Sequence, residues 1–343
     1  MSPWRRRLLG LYLEVRVIPV LLWSFTAITL GTALAVRDGA ELSVPGYLAA
    51  VAVGVLLQGL VAHAVNEIAD WRSGTDADPA PRVISGGSKV IASGLLTPGE
   101  LRAVGIGAAS AATVLGLAAA ATWGWALALY GVAGLAGAVL YTLPPVRAAY
   151  RPLAGEAIAL TCIWGCTTGA YLLQRGSLGA EAAVLGLAHA ASCVAMLMMH
   201  HYLDRGPDSR ALPPKVTTMV RLGDAGRRYT VAWAALALGL AALLAAWADW
   251  AFALLAVGMA LALALHLAVE PDDPASVTRA ELGVILIGIA AGLGTAAALA
   301  APMGWALAAA AVLVPLELRL AGAAHAPLMA RRAALAQAPA PPA

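Results

Sequence analysis

Residues 66–78 read NEIADWRSGTDAD and close a long apolar run with a cluster of carboxylates. A second polar stretch, HHYLDRGPD at residues 200–208, also follows a long apolar run. Both stretches stand where a membrane-spanning helix is expected to end. Because two carboxylate clusters recur in the same setting, we expect them to face each other across one site.

The composition around these stretches is that of a membrane protein. The chain is 61% hydrophobic and 12% charged, against roughly 25% charged residues in soluble domains, and its mean hydropathy is +0.80. Apolar runs of about 20 residues, enough to cross the hydrocarbon core as a helix, recur with short polar breaks and exclude a separate soluble domain. Ten spans are predicted, at about 14–36, 44–69, 101–121, 123–142, 153–173, 180–202, 229–247, 249–269, 281–300 and 303–320.

The distribution of basic residues predicts the orientation. Of the 22 lysines and arginines, a ten-span arrangement leaves Arg37 and Arg175 on one face and places the others on the opposite face. The positive-inside rule makes the richer face cytoplasmic. We therefore predict a multi-pass protein of the cell (inner) membrane with its acidic loops in the cytoplasm. The predicted organisation is a cytoplasmic segment at 1–13, a membrane domain at 14–322 and a disordered tail at 323–343.

The acidic stretches have the chemistry of a magnesium site. Carboxylates at a helix C-terminus are disfavoured by the helix dipole, so a cation beside Asp70 and Asp204 would stabilise them. Asn66 and Asp70 are spaced i, i+4 and share one helix face; Asp204 and Asp208 have the same spacing, with Pro207 between them. Oxygen ligands from separate loops suit Mg²⁺, which takes one or two carboxylates plus substrate phosphates.

Basic residues available on the same face would complete a phosphate site. Arginine matches phosphate oxygens with its planar fork, and lysine supplies a point charge. The alternative is that these residues only satisfy the positive-inside rule. Together with apolar helices, acids and bases suit a ligand with an anionic head and an apolar tail, such as an isoprenyl diphosphate. The available residues are Arg72, Arg82, Lys89, Arg147, Arg151, Arg205, Arg210, Lys215 and Arg221.

Three motifs in this order resemble the UbiA-type intramembrane prenyltransferases, particularly the menaquinone-pathway dihydroxynaphthoate branch. The first is similar to Asn-Asp-x-x-Asp-x-x-x-Gly-x-Asp, with Glu67 as its one departure. The second is a Tyr-Thr-x-x-Pro region that starts at Tyr141 and is followed by Gly155-Glu156. The third is the acidic motif at Asp204 with the Lys-x-Thr-x-x-Val-Arg-Leu-Gly that starts at Lys215. The resemblance covers roughly residues 14–300.

The resemblance implies an all-α, polytopic membrane helical bundle. The family has nine core transmembrane helices around a central cavity capped by cytoplasmic loops; the charge count favours a possible tenth. It implies Mg²⁺ as cofactor, with an isoprenyl diphosphate and an aromatic or lipid acceptor as partners in the membrane. The implied catalytic and metal-binding residues are Asn66, Asp70, Asp76, Asp204 and Asp208; the implied substrate-binding residues are Arg72, Lys89, Tyr141, Arg147, Arg151 and Lys215.

The sequence leaves alternatives open for the acceptor and for the reaction. The dihydroxynaphthoate branch tends to carry Asn-Asn-x-Arg-Asp where this chain has His200, His201 and Leu203 before Asp204, which leaves the acceptor open. A histidine there is either a proton acceptor or a residue hydrogen-bonded at the helix end. We predict transfer of a polyprenyl group to an aromatic or quinone-precursor acceptor. A terpene cyclase of the same family and an ion-coupled transporter are the alternatives.

Overall fold

A computed structural model describes residues 2–75 and 87–337, which form helices joined by turns and loops. Two long helical rods, Pro3–Arg37 and Val44–Ser73, are each interrupted by a stretch of π-helix, at Leu21–Phe25 and Val55–Ala62. In chain order the α-helices are α1 Pro3–Val15, α2 Val17–Val20, α3 Thr26–Arg37, α4 Val44–Gly54, α5 His63–Ser73, α6 Pro98–Trp123, α7 Ala126–Leu140, α8 Ala154–Arg175, α9 Ala180–His200, α10 Arg205–Arg210, α11 Thr218–Leu222, α12 Gly226–Trp247, α13 Phe252–Ala268, α14 Pro274–Leu299 and α15 Gly304–Gln337.

The apolar helices agree with the predicted membrane architecture. Within the described ranges, eight helical segments are long and apolar enough to cross a bilayer, and α7 and α13 are shorter apolar helices. These ten segments overlap the ten predicted spans one for one. The prediction of an all-α, polytopic helical bundle is confirmed. The number of membrane crossings, nine or ten, remains a prediction.

Two rods form the centre of the bundle. The first is the rod from α1 to α3, and the second is α9. In the most apolar 18 residues of each, 83% and 78% of the residues are buried, whereas the value for the rod from α4 to α5 is only 17%. Helix α3 packs on α8 and α14, and α9 packs on α8 and α12. Gly31 allows the α3–α8 contact, because an added Cβ would lie 2.0 Å from the Thr167 carbonyl oxygen. Such close approach through small residues is typical of packing within membranes.

The connections differ in length at the two ends of the bundle. At one end, successive helices are joined by short segments, as between α3 and α4 or α6 and α7. Trp125, Trp247 and Trp250 are exposed at that end, where indole rings favour the membrane–water interface. The longer connections, from α5 to α6, from α7 to α8 and from α9 to α11, join helices at the opposite end. All three polar motifs are therefore at the end with the longer loops.

Candidate active site

Helix α5 positions the first acidic motif. Asn66 and Asp70 lie one turn apart on it, and both line the central cavity. The helix ends at Gly74, whose φ of 79° is the left-handed conformation that glycine adopts most readily. The Ser73 hydroxyl contacts the Thr75 hydroxyl at 2.8 Å. The predicted ligand Asp76 lies outside the described residues.

The second acidic motif folds back against the first. Asp204 follows the end of α9, and its carbonyl accepts a hydrogen bond from the Asp208 amide at 2.8 Å. The Lys215 amide then donates to the Asp208 carbonyl at 2.9 Å. The Leu212 amide donates to the Ser73 carbonyl at 3.1 Å, which ties this loop to the end of α5. The two motifs, far apart in sequence, thus form one cap, as the sequence predicted.

Lys215 joins the two motifs electrostatically. Its Nζ lies 3.2 Å from both carboxylate oxygens of Asp70 and 3.8 Å from Oδ1 of Asp208. The side chains of Lys215 and Asp208 are only 8% and 1% exposed. Burial by itself lowers the pKa of Lys215, but the carboxylates of Asp70 and Asp208 outweigh it and raise that pKa above its usual value. The ammonium therefore stays charged between two acids.

A cavity of about 970 Å³ extends from this cap into the bundle. Its capped end is polar, and its body is lined by apolar and small side chains, including Ala50, Gly131 and Leu173. Ala50 and Asp70 both line it and lie on the rod from α4 to α5, which corresponds to roughly 25–30 Å along the helix axis. The cavity therefore runs through most of the thickness of the bundle.

The structure brings together some of the predicted residues and not others. Those that line the cavity are Asn66, Asp70, Lys89, Tyr141, Asp204, Asp208 and Lys215. Arg72, Arg147 and Arg151 are outside the lining. Arg72 is exposed on α5, and the guanidinium of Arg147 lies over the Tyr150 ring at 5.1 Å. Arg151 is exposed, with Nη2 at 3.5 Å from the Pro145 carbonyl oxygen.

Two cationic residues of the lining were not predicted. Arg16 lies between α1 and α2 with a φ of 52°, and Arg279 lies near the start of α14. Arg16 carried a signal in the sequence, because it interrupts an otherwise apolar span. Arg279 did not, since its position near the cap depends on how α14 packs. His63, one turn before Asn66 on α5, also lines the cavity, with Nδ1 3.3 Å from the Glu14 carbonyl oxygen.

His200 lies between two carboxylates. Its Nδ1 is 3.4 Å from Oε1 of Glu281, a residue of α14 that is 1% exposed, and its Nε2 is 3.8 Å from Oδ2 of Asp204. The His200 ring also meets the His201 ring edge to face at 5.9 Å. The imidazole therefore lies between two acidic side chains at the wall of the cavity.

The donor set fits magnesium once substrate oxygens complete it. In the part of the chain that the structure describes, no three His, Cys, Asp or Glu side chains are grouped so that they could hold a metal alone. Asp70 and Asp208 nevertheless reach one cation, the Lys215 ammonium, from two different helices, α5 and α10. Asn66 and Asp204 add oxygen atoms to the same wall. Oxygen donors that leave positions for phosphate are what Mg²⁺ requires.

The fold and the site define a polytopic membrane protein with an acid-capped intramembrane cavity. Residues 24–289 match the UbiA prenyltransferase family. The chain belongs to this family of prenyl-transferring enzymes, as the three motifs predicted. No curated protein sequence matches it significantly.

Solved structures show the same fold at low sequence identity. A UbiA homologue from Archaeoglobus fulgidus, bound to GPP and Mg²⁺, is 12% identical with a TM-score of 0.59, over 84% of this chain and 99% of that one. The apo UbiA homologue from Aeropyrum pernix K1 is 19% identical with a TM-score of 0.58, over 79% and 96%. A digeranylgeranylglyceryl phosphate synthase is 16% identical with a TM-score of 0.54, over 82% and 98%.

Proposed function

We propose that this protein transfers a polyprenyl group from an isoprenyl diphosphate to an aromatic or quinone-precursor acceptor within the membrane, with Mg²⁺ as cofactor. The observation that carries the proposal is the convergence of Asp70, Asp208 and Lys215 at the polar end of a deep apolar cavity. An amphipathic substrate with an anionic head matches both ends of this cavity. The Archaeoglobus fulgidus homologues bound to GPP or DMAPP with Mg²⁺ support it.

The residues of the cap have separate roles in this reaction. Asn66, Asp70, Asp204 and Asp208 would hold Mg²⁺, with Asp76 proposed as a further ligand from the family resemblance. Bound magnesium would neutralise charge that develops on the leaving diphosphate. Lys89 and Lys215 would bind the diphosphate oxygens from the lining of the cavity, where a fixed ammonium stabilises negative charge more strongly than in water.

The apolar body of the cavity would hold the prenyl chain and exclude water from the reacting carbon. Ionisation of an allylic diphosphate leaves a cation that water would capture, so a dry cavity favours transfer over hydrolysis. Small residues such as Ala50 and Gly131 leave the space for the chain. The acceptor would enter near the cap and lose a proton after the new bond forms.

The acceptor class follows from the motif resemblance to the dihydroxynaphthoate branch. His200, His201 and Leu203 replace the residues usual in that branch, and all three line the cavity. A lipid acceptor is the second candidate, because the fold is shared with a digeranylgeranylglyceryl phosphate synthase. The excess of lysine and arginine at the capped end supports a cytoplasmic site in the cell membrane.

The test is product analysis by mass spectrometry. Purified protein is incubated with Mg²⁺ and prenyl diphosphates of several lengths, with and without a panel of aromatic, quinone-precursor and lipid acceptors. We expect a prenylated aromatic or quinone-precursor adduct and release of diphosphate, both abolished by EDTA.

Three other results would contradict the proposal. An adduct formed with lipid acceptors alone would show that the acceptor is a lipid and not an aromatic or quinone-precursor compound. A cyclic hydrocarbon or alcohol formed without acceptor would make the protein a terpene cyclase. Ion-dependent uptake in liposomes without diphosphate release would favour a transporter.

A further inference from the structure

Resting on the proposed function, we propose that Glu67 is a positioning residue that acts through Lys89 and is not a magnesium ligand. Glu67 is the one departure from the first acidic motif of the family, and it follows the predicted ligand Asn66 directly in sequence. Its neighbours Asn66 and Asp70 line the cavity, whereas Glu67 is absent from the lining and is 4% exposed. Its side chain is therefore directed elsewhere in the cap.

The carboxylate of Glu67 binds the backbone of the next loop. Its Oε2 accepts a hydrogen bond from the Lys89 amide at 3.2 Å, and its Oε1 accepts a longer and weaker one from the Ile91 amide at 3.4 Å. One acidic side chain thus binds the backbone amides of both Lys89 and Ile91.

This contact fixes a backbone conformation that lysine does not favour. Lys89 has a φ of 55°, in the left-handed region, where a side chain other than glycine is disfavoured. Its side chain lines the cavity although the residue is only 4% exposed. Holding the amides on either side of Val90 maintains the turn that directs Lys89 toward the diphosphate end of the cavity.

A second buried acid supports the same loop from the amino-terminal helix. The Ser88 hydroxyl donates to Oε2 of Glu14 at 2.6 Å, and Glu14 is fully buried near the end of α1. Helix α1 precedes the family match, which begins at residue 24. The loop that carries Lys89 is therefore held by acidic side chains on two different helices, α1 and α5.

The test measures diphosphate binding separately from catalysis. Wild type, Glu67→Gln, Lys89→Met and the double variant are purified in detergent, and binding of inorganic diphosphate with saturating Mg²⁺ is measured by thermal shift and calorimetry. Glu67→Gln replaces one acceptor oxygen by a donor, so we expect the Kd for diphosphate to rise about tenfold. The KM for the prenyl diphosphate should rise by a similar factor, with a smaller change in kcat.

Two comparisons separate positioning from other roles. If Glu67 acts through Lys89, adding Glu67→Gln to Lys89→Met should change the Kd by less than about twofold, because coupled residues are non-additive. The Mg²⁺ concentration at half-maximal diphosphate binding should be the same in Glu67→Gln and wild type. Glu41→Gln, an exposed glutamate at the opposite end of the bundle, is the matched control and should leave both quantities unchanged.

An unchanged diphosphate Kd in Glu67→Gln, or additive effects in the double variant, would overturn the proposal. A raised Mg²⁺ requirement with normal diphosphate affinity at saturating metal would make Glu67 a ligand instead. If Glu67→Gln does not fold, Glu67→Asp is used, which keeps the carboxyl group but is too short to reach both amides. Wild type that binds diphosphate but transfers no prenyl group would refute the proposed function and leave this inference standing.

Discussion

At the scale of single residues, the site combines buried charged groups, each of which would destabilise the folded protein if it had no partner of opposite charge. Asp208 is 1% exposed, and a buried carboxylate without a partner is strongly destabilising. Lys215 compensates Asp208 and Asp70 together, from 3.8 Å and 3.2 Å. One cation that serves two acids leaves them oriented toward the same volume, where metal and diphosphate would bind.

Replacing Asp70 by Asn should therefore remove activity without unfolding the protein. The variant keeps the shape of the side chain and leaves Lys215 beside Asp208, so we expect kcat/KM to fall about a hundredfold or more while Tm changes little. Turnover and thermal unfolding in detergent are measured on the same preparation. Asp272→Asn is the control, because the Asp272 side chain is 88% exposed and pairs with Arg205 at the surface. Retained turnover in Asp70→Asn would refute the metal-ligand assignment.

At the scale of helices, close packing of α3 on α8 sets the position of the central rod. Gly31 is the contact point, and the atom that an added Cβ would meet is a backbone oxygen, which cannot move aside as a flexible side chain can. Helix α3 continues the rod that carries Arg16 and Trp23 at the cavity wall. A shift of α3 would therefore also change the shape of the cavity.

Gly31→Ala should destabilise the protein by about 1–3 kcal/mol, the usual cost of overpacking a tight contact. Gly107→Ala on α6 is the matched control, since no atom lies within 4 Å of its added Cβ. We expect a lower Tm for the first variant and no loss for the second, measured in the same detergent. Equal Tm values for both variants would contradict the role of the α3–α8 contact.

At the scale of the whole molecule, we expect the length of the cavity to set the prenyl chains that it accepts. Gly131 lines the cavity about 15 Å along α7 from Tyr141 at the capped end. An added Cβ at Gly131 meets nothing within 4 Å, so a larger side chain has room there. The neighbouring Val132 is 68% exposed on the outer surface of the bundle.

Gly131→Phe should lower activity with long polyprenyl diphosphates by tenfold or more. This factor corresponds to about one or two kcal/mol, the loss when apolar contacts are excluded from a pocket. The variant should retain activity with geranyl diphosphate. The ratio of kcat/KM for the long and short substrates is the measured quantity. Val132→Phe places the same ring on the outer face and should leave the ratio unchanged. An equal loss with both substrates in Gly131→Phe would show that the chain does not pass this residue.

The sequence by itself determined the class of protein and predicted the location of its chemistry. Apolar runs of membrane length predicted the helices, because the bilayer requires every backbone polar group to be satisfied within a helix or a closed barrel. The spacing of Asn66 and Asp70 on one helix face, and the position of both acidic motifs at span ends, predicted a shared cap. These are local properties of the chain, so no tertiary information was needed.

Only the tertiary structure decided which residues reach the cavity. Arg72 and Lys89 are both basic residues near the first motif, yet Lys89 lines the cavity and Arg72 is exposed on α5. Arg16 lines the cavity from the end of α1, and Glu67 is directed to backbone amides of the following loop. The rotation of a helix against its neighbours and the path of a loop depend on contacts between residues distant in sequence, which hydropathy and motif spacing do not contain.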